Sequence, residues 1–157
     1  MSVGLIEPDV LLPIKGIRLY SVSAGIKKNQ NKDLVLVELA ENSSCAAVFT
    51  KNKFCAAPVT LAKKHLTTAA PRYLLINSGN ANAGTGKQGM DDAIASCELV
   101  AKQSGCSVQQ VLPFSTGVIG ENLPVDKIAR AMPEVFNQLL DDNWISAAHG
   151  IMTTDTK

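Results

Sequence analysis

Three short polar phrases contain the residue types that could do chemistry in this chain. They are NSGNANA at residues 77–83, STGVIG at residues 115–120 and MTTDT at residues 152–156. The first two follow apolar runs, at points where strands are predicted to end. Small hydroxyl, amide and glycine residues there leave backbone N–H groups accessible, which suits a site that holds a negatively charged oxygen. No residue has the surroundings of an activated nucleophile, so the phrases predict part of a site only.

Thr116 and Gly117 are the candidates for stabilising such an oxygen. Gly117 would let another group approach the backbone closely, and the Thr116 hydroxyl would donate together with neighbouring N–H groups. A tight turn explains the same residues, and on spacing alone it is the stronger explanation. Thr153 has the same ambiguity, because threonines are ordinary strand residues.

The three asparagines at positions 77, 80 and 82 exceed what a turn requires. Asparagine side chains commonly hydrogen-bond the local backbone in turns, and this explains most of them. We expect at least one of them to fix a neighbouring site segment instead.

Residues 81–88 (ANAGTGKQ) resemble a phosphate-binding loop between a strand and a helix. Gln88 replaces the Ser or Thr that would hold magnesium, and no apolar strand ending in Asp follows. The sequence therefore disfavours nucleotide binding.

The composition excludes several classes of protein. Fifteen Lys and Arg against 14 Asp and Glu give a net charge of +1 without a long basic block, which argues against a nucleic-acid partner. With 46% hydrophobic residues and a mean hydropathy of +0.10, the chain can form a globular core. No apolar run approaches a membrane span and no signal peptide precedes residue 13, so we expect a cytoplasmic protein.

The cysteines and histidines give no site. The four cysteines match no zinc spacing and lie among small apolar residues, which predicts buried thiols: Cys45, Cys55, Cys97 and Cys106. His65 and His149 are isolated and are expected at a surface or a helix end. The sequence predicts no metal site.

Alternating strands and helices predict an α/β fold. Short apolar runs predict strands at residues 17–20, 34–39, 45–49, 73–76 and 111–114. Helical periodicity predicts helices at residues 58–66, at 90–101 with Gly105 as the stop, from 124 onward, and at 144–151 with Asn143 as the cap. Pro133 should break or kink the third helix, and a twelve-residue loop should precede the second.

Taken together, the three phrases resemble those of the glutamate N-acetyltransferase family, also called ornithine acetyltransferase, of arginine biosynthesis. Other parts of the family pattern occur in the same order, from about residue 20 to the end of the chain. These are Phe49-Thr50 with Asn52, Ala57-Pro58-Val59, Thr85-Gly86, Leu123-Pro124 with Lys127, and Ala147-Ala148.

The resemblance implies a ping-pong reaction in which a threonine takes acetyl from N-acetylornithine and passes it to glutamate, without a cofactor. Family precursors cut themselves at an Ala-Thr bond, and the threonine becomes the N-terminus of a second chain, the β chain, where its own amine can act as base. That bond lies some tens of residues beyond the MTTDT phrase. We therefore expect the nucleophile outside this sequence. Whether acetyl-CoA is also a co-substrate, giving N-acetylglutamate synthase activity, stays open.

By the same resemblance, Thr116 and Gly117 form the oxyanion hole and Thr153 contacts substrate. The implied fold is an αββα-like layered sandwich with two sheets between helix layers, of the self-cleaving N-terminal-nucleophile type. Residues 1–157 would form a single N-terminal segment of it, the α chain. Its expected partner is the β chain of the same precursor, in an α2β2 heterotetramer, and alone it should not turn over substrate.

Two other functions fit the sequence less well. One is half of a related self-cleaving aminopeptidase, which lacks the Met-Thr-Thr-Asp phrase. The other is a noncatalytic metabolite-binding module, which requires a gene that ends at Lys157. A downstream reading frame with an Ala-Thr cleavage motif would separate them.

Overall fold

A four-stranded sheet forms the centre of the structure, a computed structural model that describes residues 11–154. Its strands follow chain order across the sheet: β1 (Ile17–Val22), β2 (Leu34–Leu39), β3 (Tyr73–Asn80) and β4 (Val111–Val118). β1, β2 and β3 are antiparallel neighbours, whereas β3 and β4 are parallel. A parallel pair needs a crossover connection, and a long helix supplies it between β3 and β4.

Four α-helices accompany the sheet in the described residues: α1 (Ala57–Leu66), α2 (Gly86–Ser104), α3 (Val125–Asn137) and α4 (Trp144–Ile151). Helix α2 connects β3 to β4 and ends at Gly105, which adopts the left-handed conformation with φ +77°. Glycine adopts that conformation without a Cβ penalty, so the predicted stop is confirmed. A short 3-10 helix (Val108–Gln110) then leads into β4.

The sheet buries side chains on both faces. On one face, β-strand residues such as Leu36, Leu75 and Val111 pack with side chains of α1, α2 and α3 into the main core. On the opposite face, Leu19 and Val35 pack with Ala147 of α4 into a smaller cluster. The α/β class is therefore confirmed. A layered sandwich needs two sheets, whereas residues 11–154 contain a single four-stranded sheet.

The strand predicted at residues 45–49 is wrong. Residues 40–56, which we call the β2–α1 segment, contain no helix or strand. Within the described residues, no backbone hydrogen bond joins residues 44–55 to a strand. Apolar residues favour a strand only where a neighbouring strand supplies hydrogen-bond partners, and within residues 11–154 no strand pairs with this segment.

Two further expectations need correction. Helix α3 continues through Pro133 to Asn137, so the proline does not break it, and the alternative of a kink there stays a prediction. Packing explains this, because Ile128, Met132 and Val135 on its inner face are buried in the core. The twelve-residue loop is also shorter than expected, since β3 extends to Asn80 and α2 begins at Gly86.

The cysteine prediction is correct in part. Cys97 is buried and Cys106 is half-buried, but Cys45 and Cys55 are exposed because the β2–α1 segment that carries them lies on the surface. His65 lies at a helix end as expected, in the last turn of α1, but it is buried, with Nδ1 2.7 Å from the Val111 carbonyl oxygen. His149 lies in the last turn of α4.

No helix within residues 11–154 is long and apolar enough to cross a membrane. The expected absence of a signal peptide concerns residues 1–13, most of which lie outside the described residues.

Candidate functional site

The first two polar phrases lie side by side in the sheet. Asn77 to Asn80 form the end of β3, and Ser115 to Val118 form the end of β4. In the parallel ladder Asn77 pairs with Ser115, Ser78 with Thr116 and Gly79 with Gly117. The tight turn expected at Ser115 to Gly117 is wrong, because β4 continues through these residues. The positive φ expected of asparagine and glycine in the first phrase is present at Gly79 and Asn82.

Gly117 is required by the neighbouring strand. Its φ is +133°, and a Cβ placed on it would lie 2.4 Å from the carbonyl carbon of Gly79 and 2.6 Å from the Asn80 nitrogen. The ladder shifts register at Gly79 and Asn80, which brings the two backbones this close. The close approach predicted at Gly117 is confirmed, and the approaching group is the chain's own β3 backbone.

Two asparagines fix the end of β4. The Asn77 side chain accepts a hydrogen bond from Ser115 Oγ at 2.6 Å and donates one to the Asn80 carbonyl at 2.8 Å. The Asn80 side chain donates to the carbonyls of Glu121 and Asn122, in the loop after β4. Side chains of β3 therefore hold both β4 and its exit, as expected of asparagines that fix a neighbouring segment, and the role of that segment as a site stays a prediction.

The third asparagine fills the loop that resembled a phosphate cradle. Asn82 is fully buried, donates to the Gly89 carbonyl at 2.8 Å and accepts from the Thr85 hydroxyl at 3.3 Å. A Cβ on Gly89 would lie 2.0 Å from Thr85 Oγ1. The first turn of α2 is thus packed against the chain's own polar side chains, so the polar residues of this loop have a structural role.

Thr116 is exposed at the end of the sheet. Residues paired in a ladder share a face, so Thr116 lies on the same face as Ser78. The Ser78 hydroxyl donates to the carbonyl of Gly150 in α4, and a Cβ on Gly150 would lie 2.5 Å from Val35 Cγ2. Ser78 and Gly150 therefore attach the end of α4 to the sheet face that carries Thr116.

Thr153 follows α4 and lines a cavity of about 460 Å³. The other lining residues come from α4, its exit and the β1–β2 loop: Lys27, Asn29, Gln30, Asn31, Lys32, His149 and Met152. Thr153 is exposed, as expected of a residue that can meet a ligand. Asp155 and Thr156 of the same phrase lie outside the described residues.

Lys27, which the sequence did not indicate, connects the two parts of this region. Its ammonium donates to the Met152 carbonyl, next to Thr153. Its Cγ lies 3.0 Å from the position a Cβ on Gly79 would occupy, beside the strand that pairs with Gly117. Burial lowers the pKa of Lys27 below its usual range, and the charge of Asp33 opposes that shift. A lone lysine after Gly25-Ile26 carries no pattern that predicts these contacts.

Metal ligands are not grouped in this region. In the part of the chain that the structure describes, no three His, Cys, Asp or Glu side chains are placed to hold a metal ion together. The polar groups available at the site are hydroxyls, amides, backbone N–H groups, the ammonium groups of Lys27 and Lys32, and the His149 imidazole.

Comparison with known proteins identifies the family. Residues 18–157 match the ArgJ family. The chain is 59% identical over 147 residues to the arginine biosynthesis bifunctional protein ArgJ of Methylococcus capsulatus, covering 94% of this chain. It is 53% identical over 156 residues to the protein of that name from Pseudomonas syringae pv. tomato, covering 99%. The chain therefore belongs to the ArgJ family.

Two solved structures share the fold. The crystal structure of ArgJ from Bacillus halodurans has a TM-score of 0.80 and 35% identity, covering 91% of this chain and 75% of that chain. Ornithine acetyltransferase from Mycobacterium tuberculosis, complexed with ornithine, has a TM-score of 0.83 and 36% identity, covering 92% and 79%. The chain spans 36% and 38% of the length of these two curated relatives. It corresponds to their N-terminal portion.

Proposed function

We propose that this chain is the N-terminal portion of an acetyltransferase that moves acetyl from N2-acetyl-L-ornithine to L-glutamate through an acyl-threonine. One observation carries the proposal: the chain belongs to the ArgJ family and shares its fold with an ornithine acetyltransferase crystallised with ornithine. The reaction is an exchange between two substrates, and the expectation that it needs no cofactor is part of the proposal.

In this proposal the Thr116 hydroxyl and the backbone at Gly117 stabilise the oxyanion of the tetrahedral intermediate. Thr116 is exposed, and its side chain has no hydrogen-bond partner among residues 11–154, so its hydroxyl is available to donate. Asn77 holds the adjacent Ser115, which keeps the strand end rigid. Preorganised donors of this kind cost no reorganisation at the transition state.

Thr153 acts in the proposal as a substrate contact. It lines the 460 Å³ cavity together with Lys32, whose positive charge suits the carboxylates of ornithine and glutamate derivatives. A hydroxyl that binds the end shared by both substrates would bind equally before and at the transition state. Loss of Thr153 should therefore raise KM for both substrates and leave kcat nearly unchanged.

The second chain of the precursor is the proposed partner. The present chain covers 36% and 38% of the curated relatives but 75% and 79% of the chains in the two solved structures. Those solved chains are therefore about half as long as the curated relatives, which supports a protein divided into two chains. The α2β2 assembly and the cytoplasmic location remain predictions.

An exposed apolar surface, which we call the β4 patch, supports the same partner. It consists of side chains of the β2–α1 segment, of β4 and of the residue that follows β4: Val48, Phe54, Phe114, Val118 and Ile119. Val48 is 99% exposed, and it lines with Phe114 a cavity of about 560 Å³. Phe54 and Ile119 both contact the space above Gly84. Clustered apolar side chains of this kind indicate an interface, and we assign it to the downstream chain.

The test uses the complete gene product. We expect it to divide into two chains and to transfer acetyl from N-acetylornithine to glutamate, with Thr116→Ala lowering kcat about a hundredfold and leaving KM nearly unchanged. Acetyl transfer without division, or a normal rate in Thr116→Ala, would remove the corresponding part of the proposal. Peptide hydrolysis in place of transfer would favour the aminopeptidase, and ornithine binding without turnover would favour the metabolite-binding module.

The same preparation decides whether acetyl-CoA is a second acetyl donor. The curated relatives carry the word bifunctional in their names, which supports testing a second activity. Formation of N-acetylglutamate and free coenzyme A from acetyl-CoA and glutamate, measured without N-acetylornithine as a competing donor, would establish it.

A further inference from the structure

Lys27 contacts both parts of the proposed site with one side chain. Its ammonium donates to the Met152 carbonyl and, at 2.9 Å, to the Lys32 carbonyl. Its methylene stem packs on Gly79, whose backbone lies against Gly117. The same side chain therefore fixes the residue before Thr153 and supports the strand that pairs with the oxyanion segment.

The backbone of Lys27 is itself held in place. Asp33 is fully buried, and its two carboxylate oxygens accept from the backbone N–H groups of Ala24 at 2.7 Å and Lys27 at 2.8 Å. Lys127 of α3 donates to the Gly25 carbonyl, two residues before Lys27. Fixing a lysine side chain costs conformational entropy. Because these contacts already fix the backbone at Lys27, only the side-chain torsions remain to be ordered.

The acceptors of the Lys27 ammonium are backbone carbonyls. Among residues 11–154 it forms no salt bridge with a carboxylate, in contrast to Arg18, which pairs with Glu38. Lysine in such a position acts through donated hydrogen bonds, which define where the acceptor backbone lies. Met152 is held in this way, and Thr153 is the next residue.

We propose that Lys27 is a positioning residue that places Thr153 relative to the Thr116–Gly117 strand end by holding the Met152 carbonyl. The inference rests on the proposed function, in which Thr153 contacts both substrates. Lys27 touches neither substrate in this proposal and acts through Thr153. It therefore affects the binding of N-acetylornithine and of glutamate alike.

The experiment compares variants of the complete two-chain enzyme. Lys27→Met keeps the apolar stem on Gly79 and removes the ammonium, and we expect KM for both substrates to rise about tenfold with kcat within about twofold. Lys28→Met is the matched control, because Lys28 is an exposed neighbour of the same charge and should leave both constants unchanged. Lys27→Arg keeps a cationic donor and should restore most of the affinity.

A double variant separates positioning from general stability. If Lys27 acts through Thr153, Lys27→Met should raise KM little further in a Thr153→Val background. Equal KM values in Lys27→Met and Lys28→Met, or fold-changes that multiply in the double variant, would overturn the proposal. Lys27→Gln, with a donor on a shorter stem, gives an intermediate KM and replaces Lys27→Met if that variant does not fold.

A second readout does not depend on activity. Hydrogen exchange of the amides at residues 150–154 should accelerate in Lys27→Met and remain unchanged in Lys28→Met, since only the former releases Met152. Unchanged exchange in both variants would overturn the positioning role. Absence of acetyl transfer in the unmodified enzyme would instead refute the proposed function, while the exchange experiment would still decide whether Lys27 holds this segment.

Discussion

The end of the β3–β4 pair and the β4 patch lie close together along β4. They differ in how far residues 11–154 supply the hydrogen-bond partners or the packing that their side chains need. At the strand end, Asn77, Asn80 and Asn82 are buried and use their amides on groups of the same chain. In the β4 patch, Val48 and Ile119 are 99% and 62% exposed. The polar side chains at the strand end are hydrogen-bonded within the chain, whereas residues 11–154 leave the apolar side chains of the patch exposed.

This difference shows which parts of the fold a short chain can determine by itself. Buried amides need hydrogen-bond partners within reach, and the chain supplies them within a few residues or on the next strand. Apolar surface needs area to pack against, which the described residues do not provide for the β2–α1 segment. We therefore expect changes at the strand end to affect folding, and changes at the patch to affect assembly.

The largest effect is expected for Gly117→Ala. A Cβ would lie 2.4 Å from the Gly79 carbonyl carbon, and φ is +133°, so the substitution adds overpacking to backbone strain. We expect a loss of about 2–5 kcal/mol in the free energy of unfolding, with loss of acetyl transfer. Chemical denaturation of the complete enzyme measures the first, and a steady-state assay the second.

Gly25→Ala is the control for Gly117→Ala. Gly25 has φ +81°, but a Cβ there meets nothing within 4 Å, so only the conformational cost of about 1–2 kcal/mol applies. Similar losses in both variants would mean that the close approach of β3 and β4 contributes little.

Val48→Asp should act on assembly. Val48 is exposed in this chain, so an aspartate costs little here, but it would bury a charge against the second chain. We expect the two chains to separate on gel filtration and the isolated chain, which should otherwise self-associate, to become more soluble. Leu12→Asp changes an exposed leucine outside the patch and should have neither effect. Normal assembly in Val48→Asp would show that the partner lies elsewhere.

Asn77→Ala should cause a smaller loss. It removes the acceptor of the part-buried Ser115 Oγ and a donor to the buried Asn80 carbonyl, at a cost of about 1–3 kcal/mol. Asn137→Ala, at the exposed end of α3, should leave the unfolding free energy unchanged. An equal melting temperature in the two variants would show that the asparagine network does not stabilise the strand end.

The sequence predicted the elements whose partners are near in the chain. Residues 34–39 form a strand with the predicted bounds, and Gly105 ends α2 as expected, because apolar period and left-handed glycine are local signals. The strand predicted at residues 45–49 fails for the opposite reason. Its hydrogen-bond partners would have to come from a segment distant in sequence, and the residue types at 45–49 do not indicate whether such a strand lies next to them.

The site was predictable to a similar extent. The phrases containing Thr116, Gly117 and Thr153 were visible as residue types, and the structure adds that Thr116 and the end of α4 share one sheet face through Ser78 and Gly150. Lys27 could not be found, because its contacts with Met152 and Gly79 depend on how the β1–β2 loop folds over the sheet. Pairings between distant segments are the information that single residue types do not carry.

The smallest perturbation is chemical labelling of the cysteines, because it requires no substitution and starts from the unmodified fold. Cys45 belongs to the β2–α1 segment and is exposed, whereas burial raises the pKa of Cys97 to about 12, with the charge of Glu98 adding to the shift. At pH 8 a thiol of that pKa is ionised in about one molecule in 10⁴, and the thiolate is the reacting form. Cys97 should therefore react with a thiol reagent only after unfolding, in the separated chain and in the complete enzyme alike.

Cys45 should behave differently in the two preparations. In dilute separated chain it should react within minutes, and in the complete enzyme it should be protected, because it lines the same cavity as Val48 and Phe114. Peptide mapping after labelling measures both rates, with Cys97 as the internal reference for a thiol shielded by this chain's own core. Equal reaction of Cys45 in both preparations would show that the patch stays open to solvent after assembly. Protection confined to the complete enzyme would instead support the interpretation that this chain satisfies the polar groups at the strand end by itself, and that the second chain buries the β4 patch.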